Sequence, residues 1–299
     1  HALAERHGAT LEVMACVPPP HDLSILARLS GADPAQVLDQ AVERTRATIA
    51  AQIQDSAPDR RVALTVAVGK TYLEVVRHVA QSGCDFVVKT AETLSGVDRF
   101  LFASTDQHLL RKCPCPVWLQ TPTATPLPRR IVAAVDLDMW DAAEPETLTS
   151  LNRRVVDAAC TIAAAQSAEI VVLHAWDAIG AGMVWAFAGD GDPRLSADRY
   201  VNEILDSRQK AMDRFLSQMR SDGAPRPRLV PRLAKGAPET VIRTQAGTLS
   251  ADVVVMGTVA RTGLSGVFIG NTAENIINSL DCPILAVKPE GFVSPLVPE

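Results

Sequence analysis

Aromatic side chains are scarce in this chain: Phe, Trp and Tyr together fill 4% of its 299 positions. So few rings argue against the stacking platforms that hold single-stranded bases. Positive charge is also short. Lys and Arg number 29 against 34 Asp and Glu, a formal net charge of −5, whereas a duplex binder needs a basic face to neutralise phosphates. Long apolar runs are missing too. Stretches such as residues 180–189 and 253–256 fall far below the ~18 residues of a membrane span, so no bilayer crossing is expected. The six cysteines, at positions 16, 84, 113, 115, 160 and 282, contain no C-x-x-C pair, and the C-P-C at 113–115 has neither redox nor zinc spacing. They read as partly buried free thiols of a reducing compartment. The residues after His1 show no charged segment leading into an apolar one, so no secretory leader is expected and the predicted location is cytoplasmic.

What the chain does have is apolar mass and internal repetition. Apolar residues make up 47%, enough for real cores, and the length suits two domains of about 150 residues each. Sliding the sequence by 167 positions sets Gly69 on Gly236, Asp85 on Asp252, and Val87 and Val88 on Val254 and Val255. Without a gap, the same offset carries Gly96 onto Gly263, Thr105 onto Thr272, and Cys115 and Pro116 onto Cys282 and Pro283. Nearer the start, an offset of 159 aligns residues 9–13 with 168–172. Two copies of one domain are the economical explanation.

Each copy alternates strand and helix. In the second, strands are expected at 131–135, 170–176, 229–233, 252–256 and 284–287, with helices at about 148–165, 201–219, 238–246 and 271–279. That alternation means a parallel sheet with helices on both faces, and continuous Val and Ile runs suit strands covered on both sides. The first copy follows the same order from a strand at 11–17, which answers 170–176. Nothing in it answers residues 129–159, so it is expected to lack strand 1 and the start of helix 1. The domains are set at 1–120, with an incomplete start and a degenerate site, and 129–290, followed by a tail at 291–299. A linker at 121–128, with three prolines, joins them.

In a doubly wound sheet, ligands bind beyond the carboxyl ends of the strands, where the strand order reverses. Two segments of the second copy end there. One is Asp136, which closes strand 1 in Val-Asp-Leu-Asp. The other is the loop 257–270, with glycines at 257, 263, 266 and 270, leading into Asn271-Thr272-Ala273-Glu274. The glycines let backbone approach a ligand, and a helix starting at 271 offers N–H groups to an anion. Equally, Asn271 with Glu274 makes the capping box of a plain structural loop. The residues alone leave both readings open.

The loop resembles the G-x2-G-x9-G-[S/T] nucleotide motif of universal stress proteins, and nearly the whole chain is similar to tandem members of that family. The most specific stretches are Met-Gly-Thr-Val-Ala-Arg-Thr-Gly-Leu at 256–264, Gly-Asn-Thr-Ala-Glu at 270–274 and Thr-Asp-Gln-His-Leu-Leu-Arg-Lys-Cys-Pro at 105–114. The resemblance implies an α/β fold of two tandem, doubly wound, open parallel five-stranded sheets, Rossmann-like and of order 3-2-1-4-5, the first copy lacking strand 1 in this chain. It also implies cytoplasmic stress-response duty without a defined catalytic reaction. In ATP-binding members, the motif glycines and hydroxyl hold the ribose and phosphates, and an acid closing strand 1 lies near the nucleoside.

Carried over residue by residue, Gly257 and Gly270 match the first and third glycines, and Asp136 matches the acid. Ala260 stands in place of the second glycine, and Asn271, just before Thr272, in place of the hydroxyl. Both departures weaken an ATP site, because a methyl limits backbone approach and an amide replaces a small donor. Arg261 is either a source of positive charge for phosphate or a solvated side chain. The expected ligand is ATP or a related adenine nucleotide, held weakly in the second domain. In the first copy the matched positions are Thr90, Thr93 and Ala103, followed by Ser104. With no motif glycine, that loop is expected to be structural, Ser104 and Gln107 forming a capping box. The last strands, 117–119 and 284–287, are edges in the family topology. The two copies are therefore expected to pair there as an internal pseudo-dimer, with homodimerisation left open.

Other candidates carry less. Ser265, in Gly-Leu-Ser-Gly, falls one residue short of a nucleophile elbow. His174 lies in a buried strand pattern and reads as a core or rim histidine, and His108 reads as exposed beside Arg111 and Lys112. Asp190-Gly-Asp192 lacks the rest of a calcium loop, and with no metal spacing anywhere, no metal is expected. The apolar segment 178–189, near Trp140 and Trp176 in topology, is either a lid or partner surface, or the lining of a pocket for an apolar or acyl-bearing ligand. Three functions remain: a non-catalytic nucleotide binder, a ligand-free scaffold, and, least supported, a slow nucleotide hydrolase without an assembled base or metal site.

Overall fold

The computed structural model describes the chain except residues 20–24, 26–27, 30, 32, 92–103, 139–143, 165–166, 181–182, 184–192, 222–225, 259–269 and 298–299. The chain divides into two units. One comprises His1–Asp85, Ser104–Pro114 and Val293–Glu299, the other Phe86–Ala103 and Cys115–Phe292.

The first unit contains α1 (Ala2–His7), β1 (Glu12–Val17), α2 (Pro34–Ser56), β2 (Ala63–Val68), α3 (Thr71–Ser82) and α4 (Ser104–Lys112). Strands β1 and β2 form a parallel pair, in register from Glu12 opposite Ala63 to Val17 opposite Val68. Asp33 starts α2 by accepting the Ala35 N–H at 2.8 Å, and Pro34 follows where its missing N–H leaves nothing unsatisfied. Helix α3 stops at Gly83, whose left-handed φ of 67° closes the last turn without a side-chain clash.

The second unit holds β3 (Val87–Thr90), β4 (Val117–Gln120), β5 (Arg130–Ala134), β6 (Glu169–Trp176), β7 (Arg228–Lys235), β8 (Val253–Gly257) and β9 (Ile284–Val287). They form one seven-stranded sheet of order β3-β4-β9-β8-β5-β6-β7. Its helices are α5 (Pro145–Ile162), α6 (Pro193–Ser221), α7 (Pro238–Thr248) and α8 (Asn271–Ser279). The core is the Val/Ile run legible in the sequence. Val132 of β5 lies opposite Val171 on one side and Val254 on the other, all three buried. Helix α6 begins at Pro193, eight residues before its expected start. Its first two turns are too polar to show an apolar period, whereas proline suits a first helical position.

The second copy's strands run β7-β6-β5-β8-β9, which is the expected order 3-2-1-4-5. The first copy supplies four strands, as expected, but as two separate parallel pairs, β1–β2 and β3–β4. Among the described residues, no strand takes the place that β5 holds in the second copy. The effect shows at equivalent residues: Val255 is 0% exposed between two strands, while Val88, on a strand paired only with β4, is 52% exposed.

The β3–β4 pair extends the second copy's sheet because β4 and β9 pair antiparallel. Trp118 lies opposite Leu285, its own repeat equivalent at offset 167, and Val117 and Leu119 lie opposite Ala286 and Ile284. The pairing is thus locally two-fold symmetric about Trp118 and Leu285, as an isologous contact must be. Trp118 is buried there, edge-on to Phe86 with ring centroids 6.3 Å apart. At the opposite edge, β7 carries Pro231, a residue that an edge strand tolerates and a central one does not.

One acid secures the entry to β5. Asp252 Oδ2 accepts the N–H groups of Arg129 and Arg130 at 2.8 and 2.9 Å, and the Asp252 N–H donates to Arg130 O. Asp252→Ala should lower stability by about 1.5–3 kcal/mol, the range for hydrogen bonds to a charged group. Asp85→Ala, at the exposed repeat equivalent, should stay within about 0.5 kcal/mol. Urea unfolding of both variants checks the contrast.

Candidate functional site

Strand order reverses at β5, so the crevice beyond the carboxyl ends of β5 and β8 is the place where this architecture admits a ligand. Asp136 lies just past β5. Its N–H donates to Asn152 Oδ1 at 3.0 Å, its carbonyl accepts from Asn152 Nδ2 at 2.6 Å, and its Oδ1 accepts the Asp138 N–H at 3.1 Å. Buried Asn152, on α5, therefore fixes the backbone of the acid, and the acid in turn shapes the loop that follows.

Gly257 ends β8. A Cβ there would stand 2.6 Å from Leu151 Cδ2, so the missing side chain lets α5 pack against the strand. Thr258, fully buried, clasps both ends of the loop. Its N–H donates to Val287 O, and its carbonyl accepts the Gly270 N–H at 3.2 Å. Gly270 is the N-cap of α8 and lacks a side-chain cap, while Asn271 and Thr272 are the exposed first residues of the helix. The Asn271–Glu274 capping box is therefore not formed. Asn271 already lies inside the helix, one position too late to cap it. Ser104 is the first residue of α4. Ala260, Arg261 and Ser265 lie outside the described residues, as do Thr93, Ala103, Trp140, residues 190–192 and most of the segment 178–189.

The sequence reading missed several charged groups gathered at the same strand ends. Lys288, 2% exposed, follows β9 and donates from Nζ to Thr258 Oγ1 at 2.7 Å, with the Phe292 ring 4.9 Å away. Arg154 on α5 donates to the Lys288 carbonyl at 3.0 Å. Asp138 Oδ1 pairs with Arg208 of α6 at 2.6 Å and lies 3.7 Å from His174 Nε2. The signal for Lys288 was a lysine closing the run Ile-Leu-Ala-Val, and for Asp138 the second acid of Val-Asp-Leu-Asp. Arg208 lies on a long polar helix face that marks no single residue.

His174 is 1% exposed, with Nδ1 within reach of Leu137 N at 3.3 Å and Val135 O at 3.2 Å. It is the core histidine expected. His108 is not exposed as expected: it is half-buried, its ring tilted 34° against Tyr72 with centroids 4.2 Å apart. Burial first, then Lys112 and Arg111, lower its pKa. The thiols of Cys16, Cys160 and Cys282 are pushed up chiefly by burial, Cys282 to about 12, which makes them poor nucleophiles. A cleft between Arg220 and residues 226–231 lies at the other end of β7, with Arg226 and Arg228 paired to Asp157 and Glu169. It takes no part in this site.

A profile described as "Universal stress protein family" matches residues 1–120 and again 129–288. The chain belongs to that family. It is 31% identical over 223 residues to universal stress protein E of Salmonella typhi, a stretch covering 74% of this chain and 66% of that protein. The match thus spans slightly less than two thirds of that relative's length. Two solved structures share the fold. One is a Pseudomonas aeruginosa PAO1 protein of unknown function, with TM-score 0.62, 23% identity, and coverage of 97% of this chain and 85% of that one. The other is a universal stress protein from Archaeoglobus fulgidus, with TM-score 0.55, 15% identity, and coverage of 96% and 91%. Within the universal stress protein frame, Gly257, Gly270 and Asp136 occupy one end of one sheet, and Thr258 ties the glycines together.

Because Leu151 fills the space beside Gly257, Gly257→Ala should destabilise by about 1–3 kcal/mol through overpacking. In Gly257→Ala/Leu151→Ala, the loss should be smaller than the sum of the two single losses. Denaturant unfolding of the three variants measures this coupling.

Proposed function

We propose that this chain is a non-catalytic, cytoplasmic stress-response protein whose second copy binds ATP or a related adenine nucleotide weakly. One observation carries the reading: Gly257, Gly270 and the start of α8 converge with Asp136 at the strand ends where the sheet order reverses. The α8 N-terminus supplies backbone N–H groups and the positive end of its dipole to phosphate. Asp136, at the end of β5, supplies an acceptor for a ribose hydroxyl. Ala260 and Asn271 set the weakness, since one adds a methyl and the other replaces the hydroxyl donor of the motif.

The role is binding rather than turnover. His174 is buried and held near the backbone at residues 135 and 137, where it serves packing and not proton transfer. The name of the Salmonella typhi relative supports stress-response duty, and the free cysteines support a reducing compartment. The β4–β9 pairing supports an internal pseudo-dimer of the two copies.

Restoring the motif tests the reading. Ala260→Gly/Asn271→Ser should tighten ATP binding by about 10- to 150-fold, the worth of one charge-assisted hydrogen bond of roughly 1.5–3 kcal/mol. Calorimetry reads this directly, and mass spectrometry of small molecules released on heat denaturation identifies what the parent carries. Equal affinity in the double variant and the parent would sink the ATP reading.

A further inference from the structure

The first copy gathers three side chains that the nucleotide motif does not use. Glu12 opens β1, His78 lies on α3, and Cys84 follows the left-handed Gly83 that ends α3. Glu12 and His78 are 66 residues apart, so no spacing in the sequence announces the group. One ligand atom from each nevertheless lies within 4.8 Å of the others. His78 Nε2 is 2.9 Å from Glu12 Oε2, and the Thr65 hydroxyl donates to the other carboxylate oxygen, Oε1, at 2.6 Å. Ser82 Oγ stands 3.0 Å from Cys84 Sγ.

An ion pair accounts for Glu12 and His78 and a hydrogen bond to Ser82 for Cys84, but neither accounts for the three donor types coming within 4.8 Å of one another. The second copy provides the comparison. The equivalents of Glu12, Thr65, His78 and Cys84 are Val171, Arg232, Gln245 and Ala251, and Arg232 NH1 donates to Gln245 Oε1 at 2.8 Å. One ordinary hydrogen bond suffices there. The first copy instead holds a carboxylate, an imidazole and a thiol at these places.

We propose that Glu12, His78 and Cys84 bind one divalent cation of the zinc class, with water as the fourth ligand. All three donor types are zinc ligands. Bonds of ~2.0–2.3 Å in a tetrahedron set donors roughly 3.3–3.8 Å apart, between the 2.9 Å and the 4.8 Å limit found here. The carboxylate and thiolate balance the two charges of the ion, and the imidazole binds neutral. As the metal–sulfur bond forms, the Cys84 proton passes to solvent, together with any proton on His78, so affinity rises with pH. Thr65 holds Oε1 and leaves Oε2 to the metal, the orienting role of an outer-shell partner. A thiolate in the set selects against the hard cations Mg²⁺ and Ca²⁺. Three protein ligands and a water make the ion exchangeable.

The test uses the reduced full chain, titrated with Zn²⁺ against a chromogenic chelator and with Co²⁺ by absorption spectroscopy. One equivalent of Zn²⁺ should bind, unaffected by excess Mg²⁺, and Co²⁺ should show a thiolate charge-transfer band. Cys84→Ser and His78→Ala should abolish both signals, while Thr65→Val should weaken binding by about 10-fold. Zn²⁺ should also slow alkylation of Cys84 in the unaltered chain, as read by peptide mass spectrometry. This last measurement holds even if a variant fails to fold. Alkylation of Cys84 at one rate with and without Zn²⁺, or Zn²⁺ binding that survives in folded Cys84→Ser and His78→Ala, overturns the proposal.

Discussion

The backbone ladders of β5 hold the second copy together. Buried N–H and C=O groups must be paired, and β5 meets that demand with β6 on one side and β8 on the other. Its side chains Ile131, Val132 and Ala133 are all buried, so hydrogen bonding and apolar burial act on the same residues. Both ends of the strand are secured by side chains from elsewhere: Asp252 receives the N–H groups at its start, and Asn152 brackets Asp136 at its exit. The candidate site inherits its position from this strand. Remove β5 and neither the acid nor the reversal of strand order remains.

The first copy illustrates that dependence within the same chain. Its β1–β2 and β3–β4 pairs fall in different units, and β1, β2 and β3 each keep one neighbour among the described strands. An open ladder edge leaves amides to solvent and apolar side chains such as Val88 exposed. The loop after β3 keeps Gly96 but has Thr90, Thr93 and Ala103 at the motif positions, so the copy that shows no β5 counterpart among its described residues is also the copy without the motif glycines. What it has instead, at the other end of β1, is the Glu12–His78–Cys84 group. The two copies thus carry different residues at equivalent places of one repeat.

Much of this was legible because it is local or periodic. The Val/Ile runs of β5, β6 and β8, the proline opening α7, and the repeat that aligns Asp85 with Asp252 all declare themselves within short windows. The family motif brought Gly257, Gly270 and Asp136 to one place. What stayed hidden depends on contacts between distant residues. Lys288 meets Thr258 only once β8 and β9 are neighbours, and Asp138 finds Arg208 70 positions further along the sequence. The expected capping box at Asn271 failed for a subtler reason. Spacing identifies a cap and its partner, but a shift of one residue in the helix start makes Gly270 the cap and turns Asn271 outward.

The two-fold pairing of β4 with β9 alters how this protein responds to dilution. Contacts of that symmetry ordinarily join separate subunits, and such assemblies come apart as their concentration falls. Here both strands belong to one chain, joined through the linker 121–129 and the rest of the second copy, which holds each at an effective concentration on the order of millimolar beside the other. The sheet across Trp118 and Leu285 therefore persists however few molecules a cell contains.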